Sequence, residues 1–292
     1  LAGFGWLTRG TSLIYQHPKP LFGGAAVMLV ACLLPSLITL PLQFHAIRGG
    51  TPLSPSMLLG IMAVSMLFGL LIVPLYAGYL QMIAAADRGL PVLSRDIFKP
   101  YRQGQALRLI GYGLAMVVSY VAMFGIVIAA VGRGVGSWYM QVMAAQASHQ
   151  PPPTALPDGF GITMALFMLL SLFVMGFYAI SLGQVALHRR SVFGSIGDGV
   201  IGAVKNLLPL LVVAVSAVLA WIAVAIVLVI LLFLLALLAK LIGPWLLLVV
   251  IIPIYIALFL AIFAVMFGTM YYLWRDVCGD DTVPDMTAAI AA

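Results

Sequence analysis

Apolar and polar positions along the chain alternate on a coarse scale. Six long apolar runs, at about 21–44, 54–86, 109–131, 160–187, 207–239 and 245–274, are separated by short polar segments. Each run has the roughly 20 apolar residues that a helix needs to cross ~30 Å of hydrocarbon. The pattern predicts an all-α polytopic membrane bundle of six transmembrane helices arranged as three hairpins. The run at 54–86 is longer than a perpendicular crossing requires, so a tilted or extended helix is expected there. Pro35, Pro41 and Pro74 fall inside runs and are expected to kink them, with neighbouring helices satisfying the freed carbonyls.

Three shorter stretches, at 3–17, 96–108 and 191–206, mix apolar with basic side chains. In the first, Trp6, Leu13, Ile14 and Tyr15 stand among Arg9, Gln16 and His17. In the second, Ile97, Phe98, Tyr101 and Leu107 stand among cations. Such a mix predicts a helix lying in the membrane interface, apolar side down. An irregular tail is the alternative for the first. The longest loop, 132–159, holds a Pro151–Pro153 run, with Trp138 and Tyr139 as candidate interface anchors and a short helix possible around Met140–Met143.

Charge orients these elements. The segment Asp87–Arg108 carries Arg88, Arg95, Lys99, Arg102 and Arg108, and positive loops of this kind stay cytoplasmic. With that segment inside, Arg9, Lys19, Arg189, Arg190, Lys205 and Arg275 also fall inside, while Arg48, Arg133 and Lys240 fall outside. Both termini are therefore expected in the cytoplasm. No charged n-region and cleavage site precede Pro18, so the first span is expected to be retained.

Composition agrees. The chain has 292 residues, 64% of them hydrophobic and 8% charged, against about 25% charged in a soluble domain. Its mean hydropathy is +1.19. The formal charge of +6 is spread over loops and tails, which suits topology and anionic headgroups rather than a nucleic acid.

Self-comparison adds a repeat. Gly10-x6-His17-x2-Pro20-Leu21 aligns with Gly199-x6-Asn206-x2-Pro209-Leu210, and a degenerate middle copy puts Asp96 and Leu107 at the first and last positions. The chain thus reads as three parallel units, each a short helix followed by two spans. This pattern resembles uncharacterised six-span bacterial inner-membrane proteins, a group that looks related to the membrane domain of some glycerophosphodiester phosphodiesterases. The stretches that carry the likeness are RGLPVLSRDIFKPYRQ, SIGDGVIGAVKNLLPLL and YYLWRDV. The resemblance implies a bacterial inner-membrane location and supplies no catalytic residue, since the phosphodiesterase chemistry belongs to a separate soluble domain.

Candidate chemistry is sparse. All eight acidic residues are Asp, placed in loops or tails, and the absence of Glu excludes an HExxH zinc site and a Glu-closed EF-hand. No Asp, Lys or Arg lies deep in a predicted span, which argues against a proton relay. Gly132–Ser137 (GRGVGS) lacks the spacing of a phosphate loop and reads as a flexible glycine linker. Gly194–Gly197 is not a nucleophile elbow, and Asp198 reads as capping or topological. His17, His45, His149 and His188, with Met140 and Met143, could in type ligate haem or copper, but read as interfacial polar residues and core-filling methionines. No cofactor or metal is expected. Cys32 and Cys278 are too unlike in setting to be paired. Gly111, Gly113, Gly125, Gly176 and Gly183 are expected to allow close helix packing.

Arg95, Lys99, Arg102, Arg189, Arg190 and Lys205 form the candidate site, a basic inner rim for anionic lipid headgroups, with topology alone as the alternative. The expected function is non-enzymatic binding of lipid or of a membrane partner, including another copy of the chain. The alternative is a permease or channel-like transporter for an apolar or amphipathic solute, with an intramembrane enzyme third.

Overall fold

In a computed structural model, residues 2–49, 54–147, 150–151, 153–157, 159–243 and 245–279 are described. Residues 50–53, Pro152, Pro244, the side chains of His45 and Arg48, His149 and the tail residues Asp280, Asp281 and Asp285 lie outside that set. The described chain is an all-α bundle. Six helices are long and apolar enough to cross a membrane: α2 (Pro18–Gly49), α3 (Pro55–Asp87), α5 (Ala106–Val131), α7 (Phe160–Ala186), α9 (Leu207–Ile242) and α10 (Trp245–Cys278). Four shorter helices join them: α1 (Ala2–Gln16), α4 (Lys99–Arg102, continuing a 3₁₀ turn Ser94–Phe98), α6 (Arg133–Ala147) and α8 (Val192–Lys205). Helix is what an apolar medium demands, because every backbone N–H and C=O is then satisfied within the segment. Side-chain caps mark two starts: Ser54 Oγ accepts from Met57 N, and Ser191 Oγ accepts from Gly194 N.

The packing repeats three times around an axis. The second long helices α3, α7 and α10 touch one another in the middle. Each first long helix sits between its own second helix and that of the preceding unit: α2 between α3 and α10, α5 between α7 and α3, α9 between α10 and α7. The short helices follow the same rule. The 3₁₀–α4 segment lies on α3, its 3₁₀ turn also on α2; α8 lies on α7 and α5; α1 lies on α10 and α9, closing the ring.

Close approach in this ring needs small residues. A Cβ on Gly10 would come within 2.7 Å of Thr269 N in α10, one on Gly199 within 2.8 Å of Phe177 O in α7, and one on Gly78 of α3 within 2.0 Å of Ile97 O. Of the five glycines expected to serve packing, Gly113 faces Val73, Gly176 faces Leu210 and Gly183 faces Trp274, while Gly111 and Gly125 face open space.

The buried core gathers at the end of the bundle that holds the short helices α1, α4 and α8. Trp6, Leu21, Tyr79, Leu80, Ile83, Tyr112, Phe177, Phe267, Tyr271 and Trp274 are all buried there. Tyr76 and Tyr79 of α3 stack against Phe263 and Phe267 of α10, with ring centroids 4.6–6.3 Å apart across this group. Toward the other end the long helices expose apolar side chains. Along α9, Val218, Trp221, Val227, Ile230 and Phe233 are all exposed, a surface that suits lipid rather than water.

Three sequence expectations are corrected. Residues 96–108 do not form one helix: Gly104, at φ +69°, ends α4 with Gln105 N donating to Pro100 O, and α5 starts only at Ala106. The glycine-rich 132–137 stretch is not a linker, because α6 begins at Arg133 and the Trp138 Nε1–H donates to Ala155 O. Nor are all the aspartates in loops or tails: Asp87 ends α3, Asp198 lies within α8 and Asp276 within the last turns of α10.

Candidate functional site

The polar side chains at the densely packed end fall into three adjoining clusters. The first joins the ends of α1, α3 and α10. Asp87 closes α3, and α10 presents Tyr271, Tyr272 and Arg275 on consecutive turns toward it. The Tyr272 hydroxyl donates to Asp87 Oδ1 at 2.6 Å, the Tyr271 hydroxyl to Oδ2 at 2.9 Å, and Arg275 Nη1 to Oδ2 at 2.5 Å. One helix turn away, Asp276 accepts from Trp6 Nε1 at 2.8 Å and from both terminal nitrogens of Arg9, a bidentate pair that locks α1 onto α10. Two guanidinium groups lie over the Tyr272 ring, Arg9 at 4.9 Å and Arg275 at 4.6 Å from its centroid.

The second cluster ties α8 to the end of α7. Asp198 accepts from Gln184 Nε2 at 3.0 Å and pairs with Arg190 at 2.7 Å. Because the Gln184 amide turns its nitrogen to the carboxylate, its oxygen faces His188 Nδ1 at 2.8 Å. This assigns the His188 proton to Nδ1. His188 lies edge-on to Trp274 at 4.9 Å. Its Nε2, Trp274 Nε1 and Ser195 Oγ are buried with no protein partner among the described residues. Arg108 of α5 closes the cluster, donating to Arg189 O at 2.9 Å and Val185 O at 3.2 Å, and so pins a turn in which Arg189 adopts φ +52°. Replacing Gln184 with leucine leaves His188 Nδ1 without its partner and takes one of the donors from Asp198, which keeps Arg190. The expected cost is about 1–3 kcal/mol, read as a lower melting temperature in detergent; an unchanged melting curve would show that these two hydrogen bonds contribute nothing.

The third cluster sits in the α3–α5 connection. Asp96 accepts from Leu93 N at 2.9 Å and lies 3.5 Å from Lys99 Nζ and 3.8 Å from Arg102 Nη2. Arg102 also donates to Arg95 O. Tyr101 reaches across to Leu71 O, and its partial burial pushes the phenol pKa up.

The six rim cations are thus divided. Lys99 and Arg102 share Asp96, and Arg190 is paired with Asp198. Arg95, Arg189 and Lys205 are exposed and have no acidic partner among the described residues. Sequence reasoning missed the first cluster as a unit. It counted Arg9 and Arg275 as topology determinants and Asp276 as tail, and the one signal, the YYLWRDV stretch, pointed to no partner. Among the described residues no three His, Cys, Asp or Glu side chains converge as a metal site would require, and both cysteines are free.

No protein-family model, no curated protein and no solved structure matches the chain. The fold itself identifies a polytopic helical membrane protein with six candidate spans.

Proposed function

We propose that this protein is a non-enzymatic, multi-pass protein of the bacterial inner membrane that binds anionic lipid headgroups through a basic cytoplasmic rim, in an organising or accessory role. In this reading the six spans form three hairpins, both termini are cytoplasmic, and α1, the 3₁₀–α4 segment and α8 lie in the inner interface. The resemblance to six-span inner-membrane proteins supports the location, and the lysine and arginine asymmetry supports the orientation.

The observation that carries the reading is the exposure of Arg95, Arg102, Arg189, Arg190 and Lys205 at one end of an apolar bundle, three of them without a carboxylate to satisfy them among the described residues. Near an anionic surface each such cation contributes about 1 kcal/mol. A membrane-protein partner or a second copy with an acidic face would use the same charges.

Changing Arg95, Arg102, Arg189 and Arg190 together to glutamine is expected to lower retention of anionic phospholipid about tenfold or more. Native mass spectrometry of the protein extracted in mild detergent reads this directly. Unchanged retention sinks the lipid reading, and a stoichiometric protein lost with the same substitutions would replace lipid by that partner.

A further inference from the structure

A cleft of about 290 Å³ opens between α1 and the end of α3, apart from the basic rim. Its polar lining is Arg9, Ser12, Gln16, His17, Asp87 and Tyr272. The lining is charge-balanced. Arg9 is paired with Asp276 and Asp87 with Arg275; Arg9 comes from α1 and lies over the Tyr272 ring, while Asp87 closes α3 and accepts from the Tyr272 hydroxyl. A ligand of one sign would gain at one wall and lose at the other. A zwitterion gains at both.

Spare hydrogen-bonding capacity says how such a ligand lies. A guanidinium has five N–H groups, and Arg9 uses three of them, on Gly5 O and Asp276, leaving two. Gln16 donates one amide hydrogen to Ser12 Oγ and keeps the other, and the Ser12 hydroxyl hydrogen is also available. These donors suit a phosphate. Asp87 has about four lone-pair sites and accepts three bonds, leaving one for an ammonium N–H. A quaternary ammonium has no N–H to give and would need an aromatic face; the face of Tyr272 is already covered by Arg9 and Arg275. His17 Nδ1, buried and without a protein partner, adds one more polar atom in the lining residues.

The volume is at the lower bound of small-molecule sites, roughly 300 Å³, which admits a headgroup and leaves acyl chains outside. Asp87 ends one candidate span and His17 precedes another, so the cleft lies at the depth where headgroups lie. We propose that this cleft binds a phosphoethanolamine group, its phosphate toward Arg9, Ser12 and Gln16 and its primary ammonium toward Asp87.

The test uses the full chain in detergent, delipidated and then offered phosphatidylethanolamine and phosphatidylcholine of identical chains, with bound lipid counted by native mass spectrometry. Phosphatidylethanolamine is expected to be retained about tenfold over phosphatidylcholine, the equivalent of one hydrogen bond to a charged group. Ser12→Ala with Gln16→Ala, both exposed on α1, should lower phosphatidylethanolamine retention without moving the melting temperature, because they hold the phosphate, while Asp87 sets the preference over phosphatidylcholine. Arg95→Gln with Arg189→Gln and Lys205→Gln should leave it intact while lowering anionic-lipid retention, so each site can fail alone. Soluble phosphoethanolamine separates the sources: binding as tight as the lipid's assigns a free zwitterion, and binding that requires acyl chains assigns the phospholipid. Equal retention of the two lipids, or phosphatidylethanolamine retention untouched by the α1 double variant, overturns the proposal.

Discussion

Replacing Gly10 with leucine is expected to detach α1 from α10 and to cost about 3 kcal/mol or more, at or beyond the upper end of ordinary overpacking. The added Cβ alone would sit 2.7 Å from Thr269 N and 2.8 Å from the Gly268 carbonyl carbon. These are backbone atoms inside a helix and cannot swing aside as a side-chain tip would. The crossing is tight from both sides, since a Cβ on Gly268 would lie 3.0 Å from Gly10 Cα. Separating the helices also strands Asp276, which depends on Trp6 and Arg9 of α1, and opens the pocket that buries Trp6. Thermal unfolding in mild detergent, with limited proteolysis of the N-terminal helix, measures both effects. A melting curve and digestion pattern equal to those of the parent would refute the crossing as the anchor of α1. Gly5→Leu is the control, because a Cβ there meets nothing within 4 Å.

The second large effect is expected at Asp87. Changing it to alanine removes the shared acceptor of two tyrosine hydroxyls and leaves the Arg275 guanidinium without its counter-charge in a part-buried place, where its side chain is 28% exposed. Breaking a buried pair from one side costs about 3–5 kcal/mol, and the partial exposure places this one near the lower figure. Asp87→Asn keeps one acceptor oxygen and is expected to cost less than alanine, because the amide still accepts from one tyrosine hydroxyl and can donate to the other, while the charge is lost. If the alanine and asparagine variants melted together, the hydroxyl bonds would be dispensable and the ion pair would carry the whole effect.

Much of the architecture was legible because a bilayer is a demanding solvent. Long apolar runs without charges have one stable form in hydrocarbon, and that form is a helix, so six candidate spans could be read by length. The 96–108 segment was misread because its apolar spacing is helical throughout, and the left-handed Gly104 that breaks it is a single backbone event. The 132–137 stretch was misread for the opposite reason. Glycine disfavours helix by about 1 kcal/mol per residue, yet α6 forms, and the Trp138 indole ties it to the backbone at Ala155 in the connection to α7.

Amino-acid order by itself determined the elements that depend on solvent and on nearest neighbours: the all-α class, the apolar runs, and the three-unit pattern that placed glycines at 10 and 199. Tertiary structure alone decided which groups meet. Tyr271 and Asp87 are 184 residues apart and Trp6 and Asp276 are 270 apart, and no local periodicity relates positions so distant. They meet because the third unit closes against the first, bringing α1 onto α10 and α10 onto α3. Ring closure is a property of three packed units together, set by how closely their glycine-bearing helices approach, and it is that closure which turns scattered end-of-helix charges into paired clusters and a cleft.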